Sequence, residues 1–238
     1  MIGITSFSPK GYEVYGKKFL ESAVECWPGD LHVYVDEIPD YRHDKITYKL
    51  LSELSNLQAF LAYCDRNPVF CGNTAYGYEF KRDARRFSFK VFAQLDVLNH
   101  YSGKIFWLDA DMVFKKPVPL EFLVDTLDGK TVCLLIREGL HAETGFVGFD
   151  TNGIGFDHFL DTYTDIYRRG KIFKEPYWID GHAMQIAVKE SGVPHNNLSS
   201  FFRIPNDRKM TMDDLDVMSK TILGEYLIHN KGKKKFAA

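Results

Sequence analysis

The sequence predicts an α/β fold in one domain, with a mixed but mainly parallel sheet flanked by helices. Three observations carry that expectation. The chain opens strand–helix–strand, and such a crossover places its two strands side by side and parallel. Strand-like and helix-like patterns then continue along the 238 residues with no internal repeat, low-complexity linker or break in composition. Near the middle, an apolar run, Ile105-Phe106-Trp107-Leu108, stops at two carboxylates, Asp109 and Asp111. This is how a buried strand ends at the carboxyl edge of a sheet, where open α/β sheets bind ligands.

In chain order, Ile2 to Ser6 reads as the first strand, followed by a loop containing Pro9 and Gly11. A helix is expected from Glu13 to Cys26, a turn at Pro28-Gly29, and a second strand from Leu31 to Val35 that ends at Asp36-Glu37. Leu50, Leu51, Leu54, Leu57 and Leu61 fall at helical spacing, which predicts a helix over Ile46 to Cys64. Phe87, Val91, Leu95 and Leu98 mark one face of a helix leading into the acidic strand. Thr131 to Ile136 and Phe146 to Phe149 read as strands. Helices follow over Phe156 to Arg169, closed by Gly170, and Ile179 to Glu190, closed by Gly192. Tyr226 to Ile228 is a short last strand. Asp40 to Tyr78 and Pro194 to Asp216 carry no legible motif.

Composition narrows the classes. Lys plus Arg number 30 against 32 Asp plus Glu, so the net charge is −2. Nucleic-acid binders are usually strongly basic, and none is expected as a partner here. Hydrophobic residues at 45% suit a soluble globular protein. Cys26, Cys64, Cys71 and Cys133 show neither a C-x-x-C pair nor metal-ligand spacing. Cys64 and Cys71 are spaced to bridge, but reduced thiols are the expectation. With no signal-peptide pattern and no apolar stretch long enough to span a bilayer, the expected setting is the cytoplasm, compatible with peripheral membrane contact.

Asp109 and Asp111, two residues apart in an extended chain, should project to the same side. Two such acids are costly unless partnered, and a hard divalent cation between them removes the cost. Three readings compete. The acids could simply begin a turn, a common role of aspartate. Asp109-Ala110-Asp111-Met112-Val113 also fits the D-x-D-x-T/V string of haloacid-dehalogenase-type phosphohydrolases, with Asp109 as nucleophile and Asp111 as general acid. Against it, more than a hundred residues precede Asp109, and Asp213-Asp214-Leu215-Asp216 follows no apolar strand.

The third reading draws on the far end of the chain. His229-Asn230-Lys231-Gly232-Lys233-Lys234-Lys235 spells H-x-x-G-x-x-K directly after a predicted strand. Together with D-x-D, this resembles the GT-A (Rossmann-like) glycosyltransferases, specifically the glycogenin-like and lipopolysaccharide galactosyltransferase family. The resemblance implies a metal-dependent enzyme with a UDP-sugar donor and a glycan, lipid-linked or protein acceptor, retaining anomeric configuration. It further implies that Asp109, Asp111 and His229 hold Mn²⁺ or Mg²⁺, and that Ala110, Gly232 and Lys235 lie against the donor diphosphate. Imidazole with two carboxylates is a normal ligand set for either ion. Glycine permits close backbone approach, and a lysine neutralises phosphate. A non-catalytic nucleotide-sugar binder is a further alternative.

The remaining candidates follow from the same resemblance. Arg82 to Lys90 is similar to a stretch in bacterial and viral GT-A enzymes, and Arg86 and Lys90 share a helix face at i, i+4, suited to sugar hydroxyls or phosphate oxygens. Thr5, Ser6 and Phe7 are placed to cradle uracil and ribose, and Asp36 to accept hydrogen bonds from them. Glu143 to Asp150 resembles the acceptor-side strand. In Tyr177-Trp178-Ile179-Asp180-Gly181-His182, Gly181 and His182 replace the glutamine and second aspartate of the glycogenin-like D-Q-D, leaving Asp180 for acceptor orientation and His182 as a candidate base. The chain is thus read as a nucleotide-binding half (1–111), an acceptor-side half (112–228) and a metal- and diphosphate-binding tail (229–238) that is loosely held until donor and metal bind.

Overall fold

In the computed structural model, residues 1–137, 139–201, 218–230 and 232 are described. The first strand, β1 (Ile2–Phe7), runs directly into helix. Ser8 caps a one-turn α1 (Pro9–Gly11), its hydroxyl accepting from Gly11 N at 3.2 Å. Pro9 therefore starts a helix where the sequence suggested a loop, since proline's missing N–H costs nothing in the first turn. A π-helical segment, Tyr12–Gly16, continues into α2 (Lys17–Cys26). The strand β2 (Asp30–Val35) lies parallel to β1.

The helix expected over Ile46 to Cys64 divides in two. Ile46–Leu50 forms β3, parallel to β2, and α3 spans Ser55–Asp65 after a short 3₁₀ turn at Leu51–Glu53. Ile46, Thr47 and Tyr48 are β-branched or aromatic residues that favour a pleated edge, and the helical leucine spacing extended misleadingly across them. A hairpin, β4 (Cys71–Thr74) with β5 (Gly77–Asp83), was not legible in the sequence. It leads into α4 (Ala84–His100), capped by Asp83, whose carboxylate accepts from Arg86 N at 2.9 Å.

The acidic strand is β6 (Lys104–Leu108), followed by β7 (Met112–Phe114), α5 (Leu120–Thr126), β8 (Val132–Leu135) and β9 (Glu143–Asp150). The chain continues through α6 (Phe156–Arg168), α7 (Asp180–Ser191) and β10 (His195–Asn197), and the last described strand is β11 (Leu227–His229). Seven strands form the central sheet in the order β10-β8-β9-β6-β1-β2-β3. Only β9 runs against the others. The order reverses between β6 and β1, the topological switch point where ligands collect.

Alternation along the strands feeds two apolar cores. On one face Phe106, Leu108 and Leu31 pack against Phe19, Leu20 and Trp27 of the α2 region and Leu123 of α5. On the other, Ile105, Trp107 and Val147 pack beneath α3, α4, α6 and α7. Cys26, Cys64, Cys71 and Cys133 are free thiols. No described helix is long and apolar enough to cross a membrane.

Candidate active site

β9 is antiparallel to β6, with Leu108 opposite Phe146, so the start of β9 meets the end of β6 at one sheet edge. Asp109 N donates to Gly145 O at 2.8 Å, and Met112 N closes a turn on Asp109 O at 3.1 Å. Asp109-Ala110-Asp111 is thus a turn between β6 and β7, not an extended continuation of the strand. The two carboxylates still converge, through the turn rather than through strand alternation.

The third member arrives from the end of the chain. β11 pairs antiparallel with β7, His229 standing opposite Met112, and Asn230 N donates to Asp111 O at 2.9 Å. This short ribbon brings His229 Nε2 to 3.1 Å from Asp111 Oδ1 and 4.0 Å from Asp109 Oδ2. One ligand atom from each of the three lies within 4.8 Å of the others. His229 is buried at 1% exposure, so it belongs to a strand and not to a loose tail. Gly232 is exposed with φ of 66°, in the left-handed region glycine tolerates. Lys235 and Asp213 to Asp216 lie outside the described residues.

The site fits a divalent cation. Two carboxylate donors and one imidazole are a mixed N/O set. The backbone also leaves room: a Cβ on Gly145 would stand 3.1 Å from His229 Cε1 and 3.3 Å from Asp109 Oδ2. Burial disfavours charge on His229, but Asp111 and Asp109 outweigh it and raise the imidazole above its ordinary value of 6.5. A raised folded-state value contributes stability that is complete below 6.5 and is lost as pH rises through the folded value. The metal-free protein should therefore lose stability as pH rises through that window. A divalent cation held by these three residues would bind more tightly over the same window, since the imidazole must be deprotonated to ligate. Melting in chelator and calorimetric Mn²⁺ titration at matched pH values check both signs.

Beside the three ligands lies a second charged cluster. Lys90 Nζ is 2.9 Å from Asp109 Oδ1 and 2.8 Å from Asp180 Oδ2, and donates to Thr144 O at 2.7 Å. Thr144 Oγ1 in turn donates to Asp180 Oδ2 at 2.6 Å, and Trp107 Nε1 to Asp109 Oδ1 at 2.6 Å. Burial opposes the Lys90 charge, but Asp109 and Asp180 hold its pKa above the ordinary lysine range. Burial likewise opposes the Asp180 charge, and Lys90 and Thr144 keep it below the usual carboxylate value. Lys90 is thus a strut linking a metal-ligand candidate to α7, with its donors turned to protein oxygens.

A cleft of about 300 Å³ gathers Arg86, Lys90, Asp109, Asp111, Asp180 and His229. Arg86 is exposed at its rim, its guanidinium 5.1 Å above the Phe80 ring. Thr5, Ser6, Phe7, Asp36, Ala110, His182 and Gly232 are not among the lining residues. Thr5 and Phe7 lie within β1 and are buried, Phe7 stacked on Tyr12, so neither stands in a loop after the strand. Asp36 is exposed at the end of β2. His182 Nε2 faces Glu175 Oε2 at 3.2 Å. Gly181 packs against the residues just before β9: a Cβ there would stand 2.3 Å from Ala142 O, so no glutamine fits at this position.

Arg137 and His141, which also line the cleft from the segment between β8 and β9, went unrecognised along the chain. No periodicity or motif marks that segment. Thr144 was visible only as part of a strand, because its contacts with Lys90 and Asp180 depend on β9 running antiparallel.

No protein-family model and no curated protein sequence matches the chain. Solved structures do. The galactosyltransferase LgtC in complex with donor and acceptor sugar analogs superposes with a TM-score of 0.56 at 14% identity, over 98% of this chain and 88% of that one. Mouse xyloside xylosyltransferase 1 gives 0.53 at 11% identity, over 85% and 87%. The fold is that of the GT-A glycosyltransferases. The bifunctional glycosyltransferase WbbM gives 0.54 at 11% identity, with 98% of this chain matching 46% of that longer one. Within the GT-A fold, the edge that carries Asp109 and Asp111 is the carboxyl edge at the switch point, and the β7–β11 ribbon is what adds His229 to it.

Proposed function

We propose that the chain is a metal-dependent glycosyltransferase that moves a hexosyl group from a UDP-sugar to a glycan, lipid-linked or protein acceptor. One observation carries the reading: Asp109, Asp111 and His229, the outer two 120 residues apart in the chain, converge on one side of the cleft. A turn alone needs no histidine delivered by a separate ribbon, and neither does a haloacid-dehalogenase-type phosphatase. The free thiols fit a reducing, cytoplasmic setting.

On this reading Asp109, Asp111 and His229 hold Mn²⁺ or Mg²⁺. A divalent cation bound there would supply Lewis-acid stabilisation to the diphosphate as UDP departs. Lys90 fixes the Asp109 carboxylate and, through Asp180, the start of α7, so that the site is organised before substrate arrives. Arg86 at the rim offers charge to phosphate or sugar oxygens, and Gly232 and Lys235 approach the diphosphate. Residues 1–111 hold the nucleotide and 112–228 face the acceptor. Retention of configuration follows the H-x-x-G-x-x-K likeness.

The test is product release. Purified protein with Mn²⁺ and a panel of UDP-hexoses should liberate UDP, slowly when water is the only acceptor. Turnover of phosphate monoesters without UDP-sugar binding would overturn the reading in favour of a phosphatase. UDP-sugar binding with no transfer or hydrolysis across a broad acceptor panel would make the chain a binder.

A further inference from the structure

At Gly181 the chain departs from the glycogenin-like pattern, and no side chain leaves α7 at that position. In the glycogenin-like pattern an amide follows the aspartate; here the backbone of α7 lies so close to Ala142 O that position 181 has no side chain. The ring of His141 stands over this spot, its Cδ2 3.5 Å from where a Gly181 Cβ would be. The segment that carries it is tied down: Arg137 donates from Nε and Nη2 to His141 O at 3.2 and 2.9 Å. The Tyr177 ring flanks the imidazole, with centroids 6.3 Å apart. Neither ring nitrogen has a hydrogen-bond partner among the described residues, although the residue is half-buried and lines the cleft.

Chemistry narrows what such a group can meet. Burial first, then Arg137 and Lys81, hold the imidazole below its ordinary pKa, so near neutral pH it carries one N–H donor and one acceptor nitrogen. A hydroxyl group offers the same pair in return, whereas a phosphate oxygen only accepts. The cleft is about 300 Å³, at the small end of ligand pockets, and its lining includes both the metal-ligand candidates and His141. If the diphosphate lies at Asp109 and Asp111, the group that reaches His141 is the sugar bonded to it.

We propose that His141 is a specificity-determining residue for the transferred sugar, contacting a hexopyranosyl hydroxyl beside Gly181, where α7 supplies no side chain. This rests on the nucleotide-sugar reading above. It is tested by binding, not turnover. Affinities for UDP, UDP-glucose, UDP-galactose and UDP-N-acetylglucosamine are measured calorimetrically with Mn²⁺ for the wild type, His141→Ala and His141→Gln, with melting curves as a folding control.

The expected result is that His141→Ala weakens the best UDP-sugar about tenfold, the scale of one lost hydrogen bond to a buried polar group, while UDP itself is unchanged. His141→Gln, which can still donate and accept, should recover most of the loss. Equal weakening of UDP and UDP-sugar, or no weakening of either, would overturn the proposal while leaving the nucleotide-sugar reading intact. Failure of the wild type to bind UDP with Mn²⁺ at all would overturn both.

Discussion

Asp111→Asn should abolish the Mn²⁺-dependent part of UDP binding and leave the protein folded. Asp111 is buried at 5% exposure, accepts a hydrogen bond in the His229 pair at 3.1 Å, and sits where β11 docks on β7. Asparagine keeps the size and one acceptor oxygen, so the ribbon should survive. It removes the negative charge a cation needs. Loss of an outer-shell partner alone typically costs about 10–100-fold in metal affinity, and loss of a direct ligand should exceed the upper figure. His229→Ala should lower metal affinity similarly but also destabilise the fold by about 1–3 kcal/mol, since it takes a hydrogen-bond partner from a buried carboxylate and leaves space behind. Calorimetric Mn²⁺ titration with UDP, beside urea unfolding in chelator, separates the two effects. Wild-type metal affinity in either variant would remove that residue from the site.

The second large effect is expected at Lys90. Its ammonium stands between Asp109 and Asp180 at 2.9 and 2.8 Å, and the three side chains are 13%, 28% and 14% exposed. Lys90→Met keeps the length of the stem but leaves two mostly buried carboxylates side by side. Breaking a buried pair costs about 3–5 kcal/mol, and the residual exposure of Asp109 points to the lower end. The effect has a pH signature. Asp180 is held below its ordinary 3.8 in the folded protein. A depressed value contributes stability that is present above the unfolded pKa and is lost as pH falls through the folded one. The deficit of Lys90→Met should therefore be largest near neutrality and shrink below 3.8. Urea denaturation of both proteins across that range is the check; a deficit independent of pH would mean that Lys90 acts through packing alone.

Much of this was legible along the chain, for identifiable reasons. The strand at Ile105 to Leu108 and the helix bearing Lys90 have strong periodicity, and both stand close to where they were expected. The pairing of Asp109 and Asp111 with His229 was legible only through a spaced motif, since nothing local to Met112–Phe114 announces a ribbon partner 115 residues away. What the sequence hid is what depends on strand direction and close approach. β9 runs antiparallel, and that alone sets Thr144 and Gly145 against Asp109. Lys90 appeared free for phosphate because its two acidic partners lie 19 and 90 residues further on. Thr5 and Phe7 were misplaced for a simpler reason: β1 runs one residue past the expected end, and its inward side chains belong to the core. Ile46 to Leu50 misled because a leucine-rich helix begins just beyond a strand whose own residues continue the same spacing.

The central claim is that Asp109, Asp111 and His229 share one cation that faces a nucleotide diphosphate. The most direct measurement is an anomalous difference map from crystals grown with Mn²⁺ and UDP, collected so that manganese scatters anomalously. The account predicts a single strong peak bounded by one oxygen from each aspartate and a nitrogen of His229, with diphosphate oxygens completing its coordination. UDP bound with no peak at these three side chains, or a peak held by other residues, would contradict it.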